Sequence, residues 1–539
     1  MSVRLSILAR LICSLGCLAA AGAAHAESLR MGLASEPTAA DPHYHQGTPN
    51  EALASHIFEP LVGMNPDMQL EPRLAASWSA VDDLTWEFKL REGVRFSNGE
   101  PFGPDDVVFT LCRVLNNETS LSSGFSNVAR RIVKVEVPDA QTVRLITATP
   151  YPVLPNELAR VPVIWNGIAE HGKLEYSPKE GCGVTGAWPN VNDFNNGKSA
   201  IGTGPYVMKS YVKGTGIELT RNDNYWGEKP HWETVRMVAV PAAGPRLTGL
   251  LAGDFDIIEN PAARDLPRIK AGGFGHEIKP SVRVMFFQLD AGREQSPMVK
   301  SAKGDNPLQD VRVRRAISMA IDRKAIVERI MDGVATPAYQ FLPDGMFGTL
   351  ENPPELKYDP AAAKALLAEA GYPDGFELTL SATNDRYIND AQVTQAVAQY
   401  LTRVGIRTRV DTMTRSVYFP RRAKREFSAS LGGWGSETGE ASNFIQYWTT
   451  TTRQDLGLGS SNYGAYSNPE LDETFIEAIR TVDDAKRTEL LRKVLTIALD
   501  EMPNVPLHFE SGLWAFRKGL VYEGRADQRT MATALRPAQ

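Results

Sequence analysis

Helical stretches that stop at a glycine and run straight into an alternating strand constrain this 539-residue chain more than any other feature. The clearest covers 389–404, stops at Gly405 and leads into Ile406-Arg407-Thr408-Arg409-Val410, which alternates as a half-buried strand does. The stretch 360–370 has Pro360 in its first turn and Gly371 after its end. Residues 311–331 read as one helix, with Ala316, Ile317, Ala320, Ile321, Ile326 and Ile330 at near-helical spacing and Gly333 as the stop. A late helical pair, 471–479 and 484–499, ends before Pro503. Near the start, Trp86-Glu87-Phe88-Lys89-Leu90 alternates as a strand. It leads through Gly93 to a second short strand and a turn at Ser97-Asn98-Gly99, and Asp105 follows as a helix N-cap. The region 150–200 reads as loop. Helices alternating with strands predict a mixed α/β architecture with more than one sheet, and the length suits three or four structural units at about 150 residues each.

The first 26 residues are set aside from the fold. Arg4 and Arg10 precede an apolar run over 11–23, and Ala24-His25-Ala26 has the small residues of a cleavage site. A run of about 13 apolar residues is too short to cross a bilayer, which takes about 20. The expectation is a secretory signal cut after Ala26. Anchoring through Cys17 is disfavoured, because Ser14 stands where a lipoprotein signal takes an aliphatic residue. No later segment is long and apolar enough to span a membrane, so an exported soluble protein is predicted. The 58 basic and 64 acidic residues sum to −6, with none of the basic excess that nucleic acid or an anionic membrane attracts. Beyond the leader only Cys112 and Cys182 remain. In an oxidising compartment they form either a bridge closing a loop of about 70 residues or two buried thiols.

Catalytic, cofactor and metal motifs fail on inspection. Gly197-Lys198-Ser199 lacks the earlier glycine of a phosphate loop, since position 192 is Asn. Gly202-Thr203-Gly204 has Val207 where a dinucleotide fingerprint needs its third glycine. His276-Glu277 has no second histidine at zinc-protease spacing, and His43-Tyr44-His45 between Pro42 and Gly47 reads as a surface loop. No nucleophile elbow occurs, although Gly433-Trp434-Gly435-Ser436 approaches one. No catalytic residue, metal site or cofactor is expected.

Specific signal comes from a run of blocks. Leu70-Glu71-Pro72-Arg73-Leu74-Ala75-Ala76-Ser77-Trp78, then Thr85 through Phe96, then Phe102-Gly103-Pro104-Asp105-Asp106-Val107 form one stretch. It closely resembles the signature of the oligopeptide- and dipeptide-binding proteins of bacterial ABC importers, extracellular solute-binding protein family 5. Four further blocks agree in order. They are Gly202-Thr203-Gly204-Pro205-Tyr206 with Arg221 through Trp226; Leu250 through Asp256; Asp310 through Ile317 with Ala320-Ile321-Asp322-Arg323; and Ala365 through Tyr372. The resemblance spans essentially the whole mature chain. It implies the large (class II, cluster C) two-lobed periplasmic-binding-protein fold with an extra third domain. Lobe I would take 27–72, 197–285 and 503–539, the extra domain 73–196, and lobe II 286–502. It also implies a monomer in the periplasm that closes on a small peptide or peptide-like ligand and delivers it to an ABC permease in the inner membrane. The alternatives are a binding protein for a non-peptide solute (an opine, a sugar conjugate or a modified amino acid) and a secreted hydrolase on the same fold.

A sequence-tolerant peptide site has to grip the main chain and the charged termini. A micromolar affinity is about −8 kcal/mol, and a net hydrogen bond contributes about 0.5–1.5 kcal/mol, or about 1.5–3 with a charged partner. Relatives in this family are described by an aspartate for the α-amino group, in a Gly-Trp-x-x-Asp stretch, and an arginine for the carboxylate. The first reads here as Gly433-Trp434-Gly435-Ser436-Glu437, one methylene longer, with Glu440 as a nearby substitute. The second matches Arg386 in Asn384-Asp385-Arg386-Tyr387. Each has a plain competitor: Glu437 and Glu440 as solvated loop carboxylates, Arg386 as a local cap, and Trp434 as a core side chain rather than a stacking surface for ligand. The basic cluster Arg421-Arg422 with Lys424-Arg425 reads as a solvated helix face.

Overall fold

The computed structural model describes residues 27–121, 123–178, 181–355 and 357–538. The leader expected at 1–26 lies outside the described residues. Two long antiparallel strands, Gly275–Leu289 and Asn504–Phe516, run side by side through the middle of a twelve-stranded sheet. On one flank of the pair lie Ile257–Glu259, Ser28–Leu33, Thr234–Ala239, Gly216–Arg221 and Tyr206–Val212. On the other lie Ala429–Gly435, Glu377–Thr383 and Val299–Lys300, with Arg407–Met413 parallel to Glu377–Thr383. Parallel neighbours need a crossover, and the helix Asp390–Arg403 supplies it between Glu377–Thr383 and Arg407–Met413. Gly405 ends that connection at φ +103°, a conformation that favours glycine.

The buried side chains divide with the two long strands. Trp514 and Phe516 pack with Leu29, Met31, Tyr206, Leu219, Val235 and Ile257 in one core. Phe287, Leu289, Val505 and Leu507 pack with Val313, Ile317, Leu380 and Leu401 in another, and Val284, Phe286 and Phe509 join Phe444, Trp448, Phe475 and Leu495. The strand Asn504–Phe516 thus has one end in each lobe's core, and Gly275–Leu289 pairs along its length. The ladder between them slips from Pro280 to Val284, where the Ser281 hydroxyl donates to the Glu510 carbonyl at 2.8 Å. A third core, with Phe88, Leu90, Leu111, Val143 and Leu145, sits on a separate four-stranded sheet of Ala75–Asp82, Thr85–Leu90, Thr142–Thr147 and Ile132–Asp139. The architecture is mixed α/β, two lobes plus an additional domain.

Several local expectations change. Residues 311–331 are two helices, Val311–Met319 and Arg323–Arg329, because the Asp322 carboxylate accepts from the Ala325 N–H at 2.9 Å and starts a new helix. The first helix after the turn at Gly99 begins on Gly103, not Asp105; Pro104 takes its first turn and the Asp106 carboxylate accepts from the Gly103 N–H at 2.9 Å. The short strand expected after Gly93 is a single bridge, Arg95 to Pro101. The divisions expected at 285/286 and 502/503 fall inside one crossing strand and before the other, while Val505, Leu507 and Phe509 pack in the second lobe. Within 73–196, Phe109, Cys112, Leu174, Cys182 and Phe194 join the first lobe's core, and the Cys112–Cys182 disulfide ties the helix Pro104–Leu115 to the 174–182 segment beside it.

His43 is fully buried rather than on a surface loop. Its backbone N–H donates to Asp41, which also takes the buried Arg113 at 2.8 Å, and burial drives the imidazole pKa down to about 3. Arg422 stacks against Tyr418, Phe419, Trp448 and Tyr463 rather than lying on a solvated face. Gly202 and Gly204 are where the helix Thr48–Ile57 lands. A Cβ on Gly202 would lie 2.0 Å from the Ile57 oxygen, and the Gly204 N–H donates to that oxygen at 2.9 Å.

Candidate functional site

Where the crossing strands slip, a cleft of about 410 Å³, partly open to solvent, lies between the lobes. The strand Gly275–Leu289 contributes Ser281, Val282 and Arg283 to it. The helix Thr48–Ile57 and a C-terminal loop contribute Glu51 and Asp527 to Arg529, and the segment just beyond Ala429–Gly435 contributes Gly435 and Glu437. The 436–440 turn is held internally, with the Ser436 hydroxyl donating to the Glu440 carbonyl at 2.8 Å. Gly439 takes φ +70° there, and a Cβ on it would sit 2.5 Å from the Met68 oxygen, so this turn touches the 65–68 loop. Asn156 donates to the Thr438 carbonyl at 2.8 Å.

An ionic network spans the cleft. Glu51 accepts from Arg160 at 2.6 Å and from Arg529 at 2.9 Å; Asp527 accepts from Arg525 at 2.7 Å. Arg160 reaches across to the Glu437 carboxylate as well. Burial opposes charge on Glu51, but Arg160 and Arg529 outweigh it and hold the carboxyl at about 2. Glu437 has half its side chain exposed, yet protein walls surround it. That enclosure pushes its pKa up against the pull of Arg160, and the like charge of Glu51 adds to the rise.

Of the residues singled out from sequence, Glu437 lines the cleft and the others stand elsewhere. Glu440 is buried inside the second lobe, paired with the buried Arg487 and accepting the Ser442 hydroxyl. Its carboxylate is therefore occupied, neither a solvated loop group nor a free anchor. Trp434 is half-buried, donates from Nε1 to Asn443 at 2.7 Å and packs against Tyr447 and Trp448 at ring separations of 5.4 and 5.8 Å. Arg386 is exposed, with its guanidinium 5.0 Å over the Tyr387 ring. Its loop is fixed by Asp390, which takes the Thr383 hydroxyl at 2.6 Å and the Arg386 and Tyr387 N–H groups at 3.2 Å.

Sequence reasoning missed Glu51, Arg160, Arg283 and Arg529. Each is a single charged residue with no motif around it, and only the fold brings them together. Among the described residues there is no group of three or more His, Cys, Asp or Glu side chains placed to hold a metal ion, and no helix long and apolar enough to cross a membrane.

Comparison with known proteins agrees with this arrangement. The model of bacterial extracellular solute-binding proteins, family 5 (Middle) matches residues 69–455. The chain is 27% identical over 497 residues to heme-binding protein A of Haemophilus influenzae, covering 87% of this chain and 84% of the relative. It is 27% identical over 516 residues to the glutathione-binding protein GsiB of Salmonella paratyphi A, covering 93% of each. The solved structure of HbpA2 from Haemophilus parasuis superposes with a TM-score of 0.78 at 21% identity, covering 95% of this chain and all of that one. Taken with the two lobes, the paired crossing strands and the cleft between them, these likenesses mean that this chain belongs to family 5 of the bacterial extracellular solute-binding proteins, the substrate-binding proteins of ABC importers.

Proposed function

We propose that the protein captures short peptides or peptide-like solutes in this cleft, in the periplasm, and hands them to an inner-membrane ABC permease. The observation that carries the reading is the position of Glu437 at the cleft, facing Glu51 and Arg160 of the opposite wall. A ligand ammonium that takes Glu437 releases Arg160, and Arg160 keeps its hydrogen bonds to Glu51. The exchange therefore strands no buried charge, the usual penalty of opening an ion pair. A ligand bridging both walls favours the closed arrangement, because only contacts that differ between open and closed states shift that equilibrium. We place the bend at the slip between Pro280 and Val284 and at Glu510, where the ladder is interrupted.

The name of one relative specifies glutathione, itself a peptide, and that of another heme, so a non-peptide solute is the second reading. Small-angle scattering of the purified protein, with and without a mixed pool of di- to pentapeptides, tests the first. A smaller radius of gyration with peptide and loss of that response in Glu437→Ala are expected. No compaction with any pool, together with a single non-peptide mass released from protein purified from its own periplasm, would replace it with the second.

A further inference from the structure

We propose that the additional domain takes part in closure: Asn156 clasps the 436–440 turn of the second lobe when the cleft shuts, and so strengthens the binding of every ligand by the same factor. This rests on the reading of the cleft as one that opens and closes on a ligand. Three successive residues of the turn each meet the facing side. Glu437 pairs with Arg160, the Thr438 carbonyl accepts the Asn156 side-chain N–H at 2.8 Å, and Gly439 lies against the Met68 carbonyl with no room for a Cβ. The three partners sit on elements packed into the third core. Asn156 lies on the short helix Leu154–Leu158, Arg160 stands between Leu158 and Val161 in the chain, and Met68 follows the strand Val62–Met64. Leu154, Leu158, Val161 and Val62 are all buried in that core.

The turn is braced from within its own lobe. The Gly439 N–H donates to the Ser436 carbonyl at 3.1 Å, the Ala441 N–H donates to the Phe347 carbonyl at 3.0 Å, and Glu440 is locked on Arg487. Docking therefore orders little that is not already fixed, and the bond to Asn156 keeps its net worth. Neither Asn156 nor Thr438 lines the cleft, so their bond is the same whichever ligand is enclosed. A contact made only when the two sides meet raises the closed population, and the apparent affinity of any ligand scales with that population. The clasp also carries a cost. Thr438 is 4% exposed, and its hydroxyl has no hydrogen-bond partner among the described residues. Opening the clasp returns that hydroxyl to water, so it opposes docking while Asn156 drives it.

The test uses the purified protein with nitroxide labels at Val137→Cys and Val417→Cys, exposed positions on the additional domain's sheet and on the helix Arg415–Ala423. Cys112 and Cys182 are bridged and do not take the label. Pulsed dipolar spectroscopy without ligand should show the closed-distance fraction falling in Asn156→Ala and rising in Thr438→Val. Calorimetry with trialanine and with glutathione should give matching changes. Both peptides should bind about twofold to tenfold more weakly to Asn156→Ala, the worth of one net hydrogen bond, and about fivefold or more tightly to Thr438→Val. Both variants should melt as the wild type does, since neither side chain belongs to a core. Closed-distance fractions unchanged in both variants overturn the clasp. Affinity changes that differ between the two peptides overturn it as well and make Asn156 a ligand contact. Shifted distances with no binding of either peptide leave the clasp standing and overturn the reading of the cleft as a peptide site.

Discussion

Glu440 and Glu437 lie three residues apart, are both acidic and have opposite fates. Glu440 is sealed against Arg487 with about 1% of its surface exposed, whereas Glu437 stays half-exposed at the cleft. Removing one partner of a buried pair leaves the other charge uncompensated, typically at about 3–5 kcal/mol. Glu440→Ala is therefore expected to lose stability of that order in urea unfolding while ligand affinity per folded molecule stays near wild type. A variant that kept its stability and lost affinity would return Glu440 to the ligand site. Glu51 carries a pH signature. Its folded carboxyl is held at about 2, below its ordinary 4.5, so the charge contributes fully above about pH 4.5 and its contribution fades as the pH falls through about 2. By linkage that is about 3 kcal/mol at neutral pH. Glu51→Gln should be less stable than wild type by roughly that amount at pH 7, and the gap should shrink steadily from pH 4.5 to pH 2. A gap independent of pH would mean that Glu51 acts through packing rather than charge. Nothing local in sequence separates Glu437 from Glu440: a distant arginine meets each, and only the fold decides that Arg487 is buried with Glu440 while Arg160 meets Glu437 at the open cleft.

Elements with strong local grammar were legible. The helices Pro360–Glu369 and Asp390–Arg403 stop before glycines at φ +88° and +103°, because a residue with a Cβ resists the left-handed conformation their ends adopt. The late helices Pro469–Ala478 and Asp484–Glu501 begin on the side chains of Asn468 and Asp483, each accepting a backbone N–H. The break at Asp322 was hidden because apolar periodicity continues through Ala320, Ile321 and Ile326, all buried in one core whether one helix or two presents them. Periodicity reports which face is buried, and the cap reports where the chain turns. The crossing strands are less legible still. Every residue of Asn504–Phe516 is buried, so the strand has no exposed alternation to read.

At the scale of the molecule, the Cys112–Cys182 disulfide closes a loop of 70 residues and joins the helix Pro104–Leu115 to the loop-rich segment before residue 200. Chain entropy assigns such a loop about 4 kcal/mol. The double replacement Cys112→Ala with Cys182→Ala should lose about that much in equilibrium unfolding, with ligand-induced compaction retained because the crossing strands lie elsewhere. Loss of compaction at unchanged stability would instead tie the bridge to closure. By itself the sequence determined the architecture class, the family and the ends of the four helices with strong start and stop signals, since those depend on nearest neighbours and on blocks that follow in order along the chain. It also located one cleft carboxylate, Glu437, through a short motif. Tertiary structure alone decided that Arg160, Glu51 and Arg529 face Glu437 across the cleft and that Glu440 is spent on Arg487. The physical reason is range. Caps and periodic faces act within a few residues, whereas a charge network is set by which side chains, hundreds of positions apart, the folded sheet carries to within hydrogen-bonding distance.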